Sequence, residues 1–112
     1  MRSRRGALEE ALNEKLALTR KLYQALMQIP ELEVLNEPEL TTIAFRKRAP
    51  KQRSDEVNQT LLNTINAGGR VFLSGTLLRE LFAIRVSILS HRTHDVQITQ
   101  LVEEIHRAIL AQ

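Results

Sequence analysis

The sequence has no cysteine and no tryptophan, and its aromatic residues are only three phenylalanines and one tyrosine. The absence of cysteine excludes disulfides, thiolate metal sites and cysteine nucleophiles, and it leaves the redox compartment open. No apolar run approaches the roughly 18 residues that a membrane-spanning helix needs, so we expect no membrane partner. The first ten residues contain arginines but no apolar stretch, so we expect no secretory signal there and a cytoplasmic protein.

Positive charge is concentrated in the first half of the chain. The net charge of the 112 residues is +3, but residues 1–53 hold 11 Lys and Arg against 7 Asp and Glu, whereas residues 54–112 hold 5 against 6. One interpretation of the basic segment 46–53 is that it binds nucleic-acid phosphates. No aromatic residues interleave it for base stacking, so we favour a solvated loop and do not expect nucleic acid as a partner. Its cations are Arg46, Lys47, Arg48, Lys51 and Arg53.

Two long stretches have the periodicity of amphipathic helices. In residues 6–29 apolar side chains recur at spacings of three and four, and Pro30 prevents the helix from continuing. From Asp95, or from Thr93, a second such pattern runs to the end of the chain, with apolar residues from Ile98 onward on one face. Both stretches therefore predict helices with one face in a core.

A further helix is predicted between these two. Ser54 has the side chain of an N-cap, with acidic residues in the turn that follows, and Gly68 and Gly69 are suited to a left-handed C-cap. A glycine pair of this kind can also belong to a phosphate-binding loop. It follows a helix instead of preceding one, however, so it offers no helix N-terminus to an anion.

Four short segments predict strands, because β-branched or apolar residues alternate with small or polar ones between turn residues. The last two are close in sequence, with a turn near Leu78–Leu81, and should pair as an antiparallel hairpin. The element order α-β-β-α-β-β-α predicts an α+β domain of two layers, with helices on one face of a mainly antiparallel sheet of three to four strands. The predicted strands are residues 33–35, 40–46, 70–76 and 82–90.

The last strand should have one apolar face and one mixed face. Phe82, Ile84, Val86 and Ile88 share the first, so Arg85 lies on the second among small and apolar neighbours. A charged residue in such a place either meets water on an open sheet face or meets a carboxylate of another domain. If no such domain is present, we expect the helix over 6–29 to cover this face or copies of the chain to associate through it.

Histidines suggest one possible metal site. His91 and His94 are three residues apart and are followed by Asp95, and the remaining histidine is His106. The alternative is a strand-to-helix turn in which Asp95 caps the helix, and the sequence favours this interpretation. We therefore predict no metal site.

Read in order, several segments resemble the C-terminal domain of group II pyridoxal-phosphate-dependent amino-acid decarboxylases, the family of the aromatic amino-acid, histidine and glutamate decarboxylases. The first segment, LYQALMQIPELEVLNEPELTTIAFR (22–46), contributes Leu35, Pro38, Leu40, Phe45 and Arg46. The later segments are Asn58 with Leu61 and Leu62, INAGGRVFLSGT (65–76), and IRVSILSHRTH (84–94). Two departures are Glu80, where many members have glycine, and the basic residues of 47–53.

The resemblance implies a domain that lacks the family's catalytic residues. In that family the Schiff-base lysine usually follows a histidine in a large upstream domain, whereas none of Lys15, Lys21, Lys47 and Lys51 follows a histidine. We therefore expect no catalytic, cofactor-binding or metal-binding residue in this chain, which alone should be inactive. Pyridoxal phosphate would belong to the parent enzyme, a homodimeric carboxy-lyase, whose large domain would be the partner.

The sequence thus predicts a single domain over residues 1–112, in which 6–29 form a linking helix and 31–112 the small domain of a larger enzyme. It would be a cut fragment or one part of a split reading frame. Its role would be structural, at the rim of the active site, with Arg85 and Arg92 at the domain interface. The alternative is a free-standing basic α+β module that binds nucleic acid through the segment 46–53.

Overall fold

A computed structural model describes residues 4–35, 41–88 and 95–112. Helices and strands follow one another in the predicted order α-β-β-α-β-β-α. The elements are α1 (Arg4–Met27), β1 (Leu32–Val34), β2 (Thr42–Lys47), α2 (Lys51–Ala67), β3 (Ser74–Leu78), β4 (Leu81–Ser87) and α3 (Asp95–Leu110).

The four strands form one antiparallel sheet in the order β1-β2-β4-β3. In the centre of the sheet, Ile43 lies opposite Val86 and Phe45 lies opposite Ile84. These side chains are buried with those of the three helices in a single core, so the helices form one layer and the sheet the other. The predicted α+β fold class is confirmed. None of the described helices is both long and apolar enough to cross a membrane.

The start of α2 differs from the prediction. The helix begins at Lys51 after Pro50, and Ser54 is a buried residue inside it instead of the N-cap. The Ser54 hydroxyl accepts a hydrogen bond from Nη1 of Arg46 at 3.0 Å. The N-cap prediction is therefore wrong, because a tertiary contact with β2 uses the hydroxyl group.

The end of α2 agrees with the prediction only at Gly69. Gly69 has a φ of +75°, in the left-handed region, whereas Gly68 has the helical values φ −66° and ψ −20°. A β-carbon at Gly68 would meet the ends of the Glu104 and Arg107 side chains, which would have to shift. The left-handed conformation thus favours glycine at position 69, whereas glycine at position 68 leaves room for the pair of Glu104 and Arg107.

Strand β3 begins at Ser74, four residues later than predicted. The side chain of Asn66 accepts a hydrogen bond from the backbone N–H of Leu73 at 2.8 Å and donates one to its carbonyl at 3.1 Å. The backbone just before β3 is therefore bonded to α2 instead of to a neighbouring strand. The hairpin turn of Arg79 and Glu80 lies where the sequence predicts it.

Helix α1 lies in the helix layer and not across the other side of the sheet. It packs against α3 and β1, and its buried apolar side chains begin at Leu18 and continue with Leu22 and Leu26. Leu12, nearer the start of the helix, is 42% exposed. The expectation that this helix covers the open side of the sheet is wrong, because the apolar stripe of its second half belongs to the core.

Candidate interaction face of the sheet

The side of the sheet opposite the helices carries small, polar and charged side chains, and we call it the open face. Successive residues of a strand point to opposite sides, so the neighbours of the core residues Ile43, Phe45, Ile84 and Val86 point away from the helices. The open face is formed by Glu33, Thr42, Ala44, Arg46, Ser74, Thr76, Leu78, Leu81, Ala83, Arg85 and Ser87.

Arg85 lies in the middle of the open face. It is directly opposite Ala44 on β2 and Ser74 on β3, and its side chain is exposed. Ala44 and Ala83 beside it are almost fully buried, since their short side chains lie below those of their neighbours. Within residues 4–35, 41–88 and 95–112, no hydrogen bond or ion pair involves the side chain of Arg85. Its role at a domain interface stays a prediction, and Arg92 lies outside the described residues.

Arg46 is on the same face but is bound within the domain. Its Nε donates to Oε1 of Glu33 on β1 at 2.7 Å, and its Nη1 donates to Ser54 on α2. Only 17% of the side chain is exposed. Arg46 therefore joins β1, β2 and α2, whereas Arg85 presents an uncompensated charge to whatever meets this face.

A cleft of about 460 Å³ lies between the hairpin tip and β1. Leucine side chains supply much of its lining, and Arg79 and Glu33 supply charge. Arg79, like Arg85, has no partner in the described part of the chain, while Glu33 is paired with Arg46. An apolar segment that carries a carboxylate would complement this lining. The lining residues are Glu33, Val34, Leu35, Leu78, Arg79 and Leu81.

The basic segment 46–53 is only partly available to an outside ligand. Besides Arg46, the Nζ of Lys47 donates to Oε1 of Gln112 at 2.8 Å, and Arg48 donates to the carbonyl of Pro30 at 3.3 Å. Lys51 and Arg53 are exposed in the first turn of α2. The segment is therefore not one continuous row of free cations. Binding of nucleic acid there stays the untested alternative.

A buried carboxylate lies elsewhere, on α3. Glu104 accepts from Nη2 of Arg107 at 2.9 Å and from Nη1 of Arg70 at 3.3 Å, and its side chain is 5% exposed. The hydrogen bond from Arg107 lowers the pKa of Glu104 below its usual range, against the effect of burial, and the charges of both arginines act in the same direction. A carboxylate bound by two guanidinium groups stabilises the structure and is not placed to act as a general base.

The described residues offer no group of histidine, aspartate and glutamate side chains that could hold a metal ion. His106 is exposed on α3, while His91 and His94 lie outside the described residues, so the metal prediction is not tested.

The four lysines also lack the setting that an internal aldimine of pyridoxal phosphate needs. Lys21 and Lys51 are exposed on helices, Lys15 is half-buried on α1, and Lys47 is bonded to Gln112. Lys47 lines a pocket of about 380 Å³ with Arg53, but Glu56 is part of the same lining. The described surroundings of these lysines therefore show no fit to the cofactor, and the absence of cofactor-binding residues stays a prediction.

Comparison with known proteins supports the resemblance. No family model matches the chain. Over 100 residues it is 25% identical to the aromatic-L-amino-acid decarboxylase of Cavia porcellus, a match that covers 89% of this chain and 20% of that protein. The chain thus spans about a fifth of the length of the curated relatives it matches. The predicted resemblance to group II decarboxylases is confirmed at this level.

Solved structures confirm the fold. The structure of Oryza sativa TDC with PLP and tryptamine matches 93% of this chain with a TM-score of 0.88 at 19% identity, over 23% of its own length. Catharanthus roseus tryptophan decarboxylase in complex with L-tryptophan matches 90% of the chain with a TM-score of 0.83 at 18% identity, over 22% of its length. The fold therefore occurs as a part of larger proteins.

Proposed function

We propose that this chain is the C-terminal small domain of a pyridoxal-phosphate-dependent amino-acid decarboxylase, and that its open face packs against the large domain of that enzyme. The observation that carries the proposal is Arg85, an unpaired charge among buried alanines on a sheet face that no described helix covers. The match to about a fifth of each curated relative supports the same conclusion.

The role of the domain in the parent enzyme is structural, because its open face packs against the large domain and is buried there. When bound in the parent enzyme, pyridoxal phosphate supplies the electron sink for removal of the α-carboxylate. The described lysines of this chain do not fit that cofactor, so the chain itself contributes the open face, the charges of Arg85 and Arg79, and the cleft between the hairpin tip and β1. Arg92 belongs to the same proposed interface.

The size and colour of the native polypeptide test the assignment. Antibodies raised against the chain should detect a polypeptide four to five times as long, since the relatives exceed this chain by about that factor. Purified from its source, that protein should show an aldimine absorbance that borohydride abolishes, and it should decarboxylate an amino acid. A product of 112 residues that associates with no pyridoxal-phosphate protein would contradict the proposal.

A charge substitution tests the interface separately. Arg85→Ala should change the stability of the isolated chain by no more than about 1 kcal/mol, as expected for an exposed unpaired charge. In the longer polypeptide the same substitution should cost about 3 kcal/mol or more, because it leaves a carboxylate unpaired at the domain boundary. Arg20→Ala, on the exposed surface of α1, is the matched control. Equal effects of Arg85→Ala in both proteins would show that Arg85 does not lie at the interface. The decarboxylase assignment would then depend on the first test alone.

A further inference from the structure

Strand β3 is an edge strand with unusual composition. It pairs with β4 on one side, and no described strand pairs with its other side. Its five residues, Ser74–Leu78, include neither a charge nor a proline, although edge strands are usually protected by such residues. Leu77 is 68% exposed, and Phe72, just before the strand, is 65% exposed. The edge therefore has the properties of a strand-pairing surface.

The hairpin geometry determines which backbone groups point outward. Its two-residue turn closes on the pair of Leu78 and Leu81, and the residues of such a closing pair exchange their backbone hydrogen bonds with each other. The direction of these groups alternates along a strand. The N–H and C=O groups of Gly75 and Leu77 therefore point to the free edge.

We propose that the free edge of β3 binds β3 of a second copy of this chain, antiparallel, about a twofold axis at Thr76. In this register Gly75 of each copy exchanges backbone hydrogen bonds with Leu77 of the other, and Ser74 lies opposite Leu78. All five residues of each strand are paired. A register centred on Leu77 would instead place the turn residues Arg79 and Glu80 opposite the start of the second strand.

Side-chain sizes fit this register. The ring of Phe82 lies over Gly75, where an added β-carbon would be 2.5 Å from two ring atoms. Leu77 of the second copy, opposite Gly75, would contact that ring and lose its exposure to water. Leu77 of each strand therefore lies opposite Gly75 of the other, and Leu78 lies opposite Ser74. In each pair a large side chain lies beside a small one, so the two fit together on one face of the extended sheet.

Charges at the two ends of the strand are complementary as well. Arg70 precedes β3 and Glu80 follows it, so a twofold antiparallel arrangement puts Glu80 of each copy at the end of the paired strands where Arg70 of the other copy enters. Arg70 retains 46% side-chain exposure beside Glu104. Arg79, which is next to Glu80 and has the same charge as Arg70, lines the cleft on the open face.

Sedimentation of the full chain tests the proposal. Pairing through one short strand buries less than the roughly 1,200 Å² of a standard interface, so the dimer should dissociate on dilution. Leu77→Lys should abolish the dimer, while Leu110→Lys, at a leucine that is 85% exposed on α3, should leave it unchanged. A monomer at every concentration would overturn the proposal, and so would a dimer that survives Leu77→Lys.

Cysteine crosslinking tests the register in a chain that has no native cysteine. Thr76→Cys places two thiols opposite each other across the twofold axis, within disulfide distance. Ser74→Cys, at a more exposed position of the same strand, places its thiol opposite Leu78 and is the control. Mild oxidation should crosslink the Thr76→Cys protein many times faster. Equal rates, or a faster Ser74→Cys reaction, would overturn the twofold axis at Thr76.

Discussion

The side-chain amide of Asn58 hydrogen-bonds in both directions with the backbone of Lys47. Its Oδ1 accepts from the Lys47 N–H at 2.5 Å, and its Nδ2 donates to the Lys47 carbonyl at 3.1 Å and to the Ser54 carbonyl at 2.8 Å. Asn58 is fully buried. One side chain thus satisfies the backbone at the end of β2 and holds α2 against the sheet.

Asn58→Ala should lower the free energy of unfolding by about 2–3 kcal/mol, because it leaves buried backbone groups without partners. Asn58→Asp should also destabilise, since a carboxylate can accept from the Lys47 N–H but cannot donate to the two carbonyls. Urea unfolding measures both. Asn63→Ala is the control, because the side chain of Asn63 is exposed and bonds only to that of Gln59; a loss as large as that of Asn58→Ala would contradict the role given to Asn58.

Acid should weaken the fold through Glu104. The hydrogen bond from Arg107 lowers the pKa of this carboxyl in the folded chain. A carboxyl with a lowered folded pKa stabilises the fold above its unfolded pKa, and this contribution disappears as the pH falls through the folded pKa. Glu104→Gln should therefore reduce stability at neutral pH and flatten its decline in acid, as measured by urea midpoints across pH. Glu103→Gln, at the exposed neighbour, should keep the wild-type profile.

Glycine in the hairpin turn should increase the stability of the fold. Arg79 and Glu80 have φ values of +50° and +68°, in the left-handed region that disfavours side chains. Glu80→Gly should raise the free energy of unfolding by about 0.5–1 kcal/mol, the relief of strain exceeding the added freedom of the unfolded chain. Thermal unfolding measures this change. Glu31→Gly, at an exposed turn residue without positive φ, should instead destabilise.

Nucleic-acid binding should be weak and sensitive to salt. The side chains of Lys51 and Arg53 are exposed and have no partner among the described residues, whereas Arg46, Lys47 and Arg48 have partners, although 60% of the Arg48 side chain is exposed. Affinity for duplex DNA, measured by fluorescence anisotropy, should collapse between low and physiological salt. Tight binding at physiological salt that Lys51→Glu and Arg53→Glu abolish, and Arg20→Glu does not, would favour the nucleic-acid module instead.

Several features of the candidate face could be predicted from sequence, and others could not. The alternation of Phe82, Ile84, Val86 and Ile88 places Arg85 on the opposite side of the strand, as observed. The difference between Arg85 and Arg46 has no sequence signal. It depends on Glu33 and Ser54, which come close to Arg46 only when β1, β2 and α2 have assembled.

The order and type of the elements were determined by the sequence itself, because the periodicity of apolar residues depends only on which residues must face a core. The tertiary structure decided where elements begin and which polar groups pair. Ser54 accepts from Arg46 instead of capping α2, and Asn66 bonds Leu73 so that β3 starts at Ser74. A hydroxyl or amide has several candidate partners in an unfolded chain. Packing brings one of them within hydrogen-bond distance, and that choice is made by the assembled core.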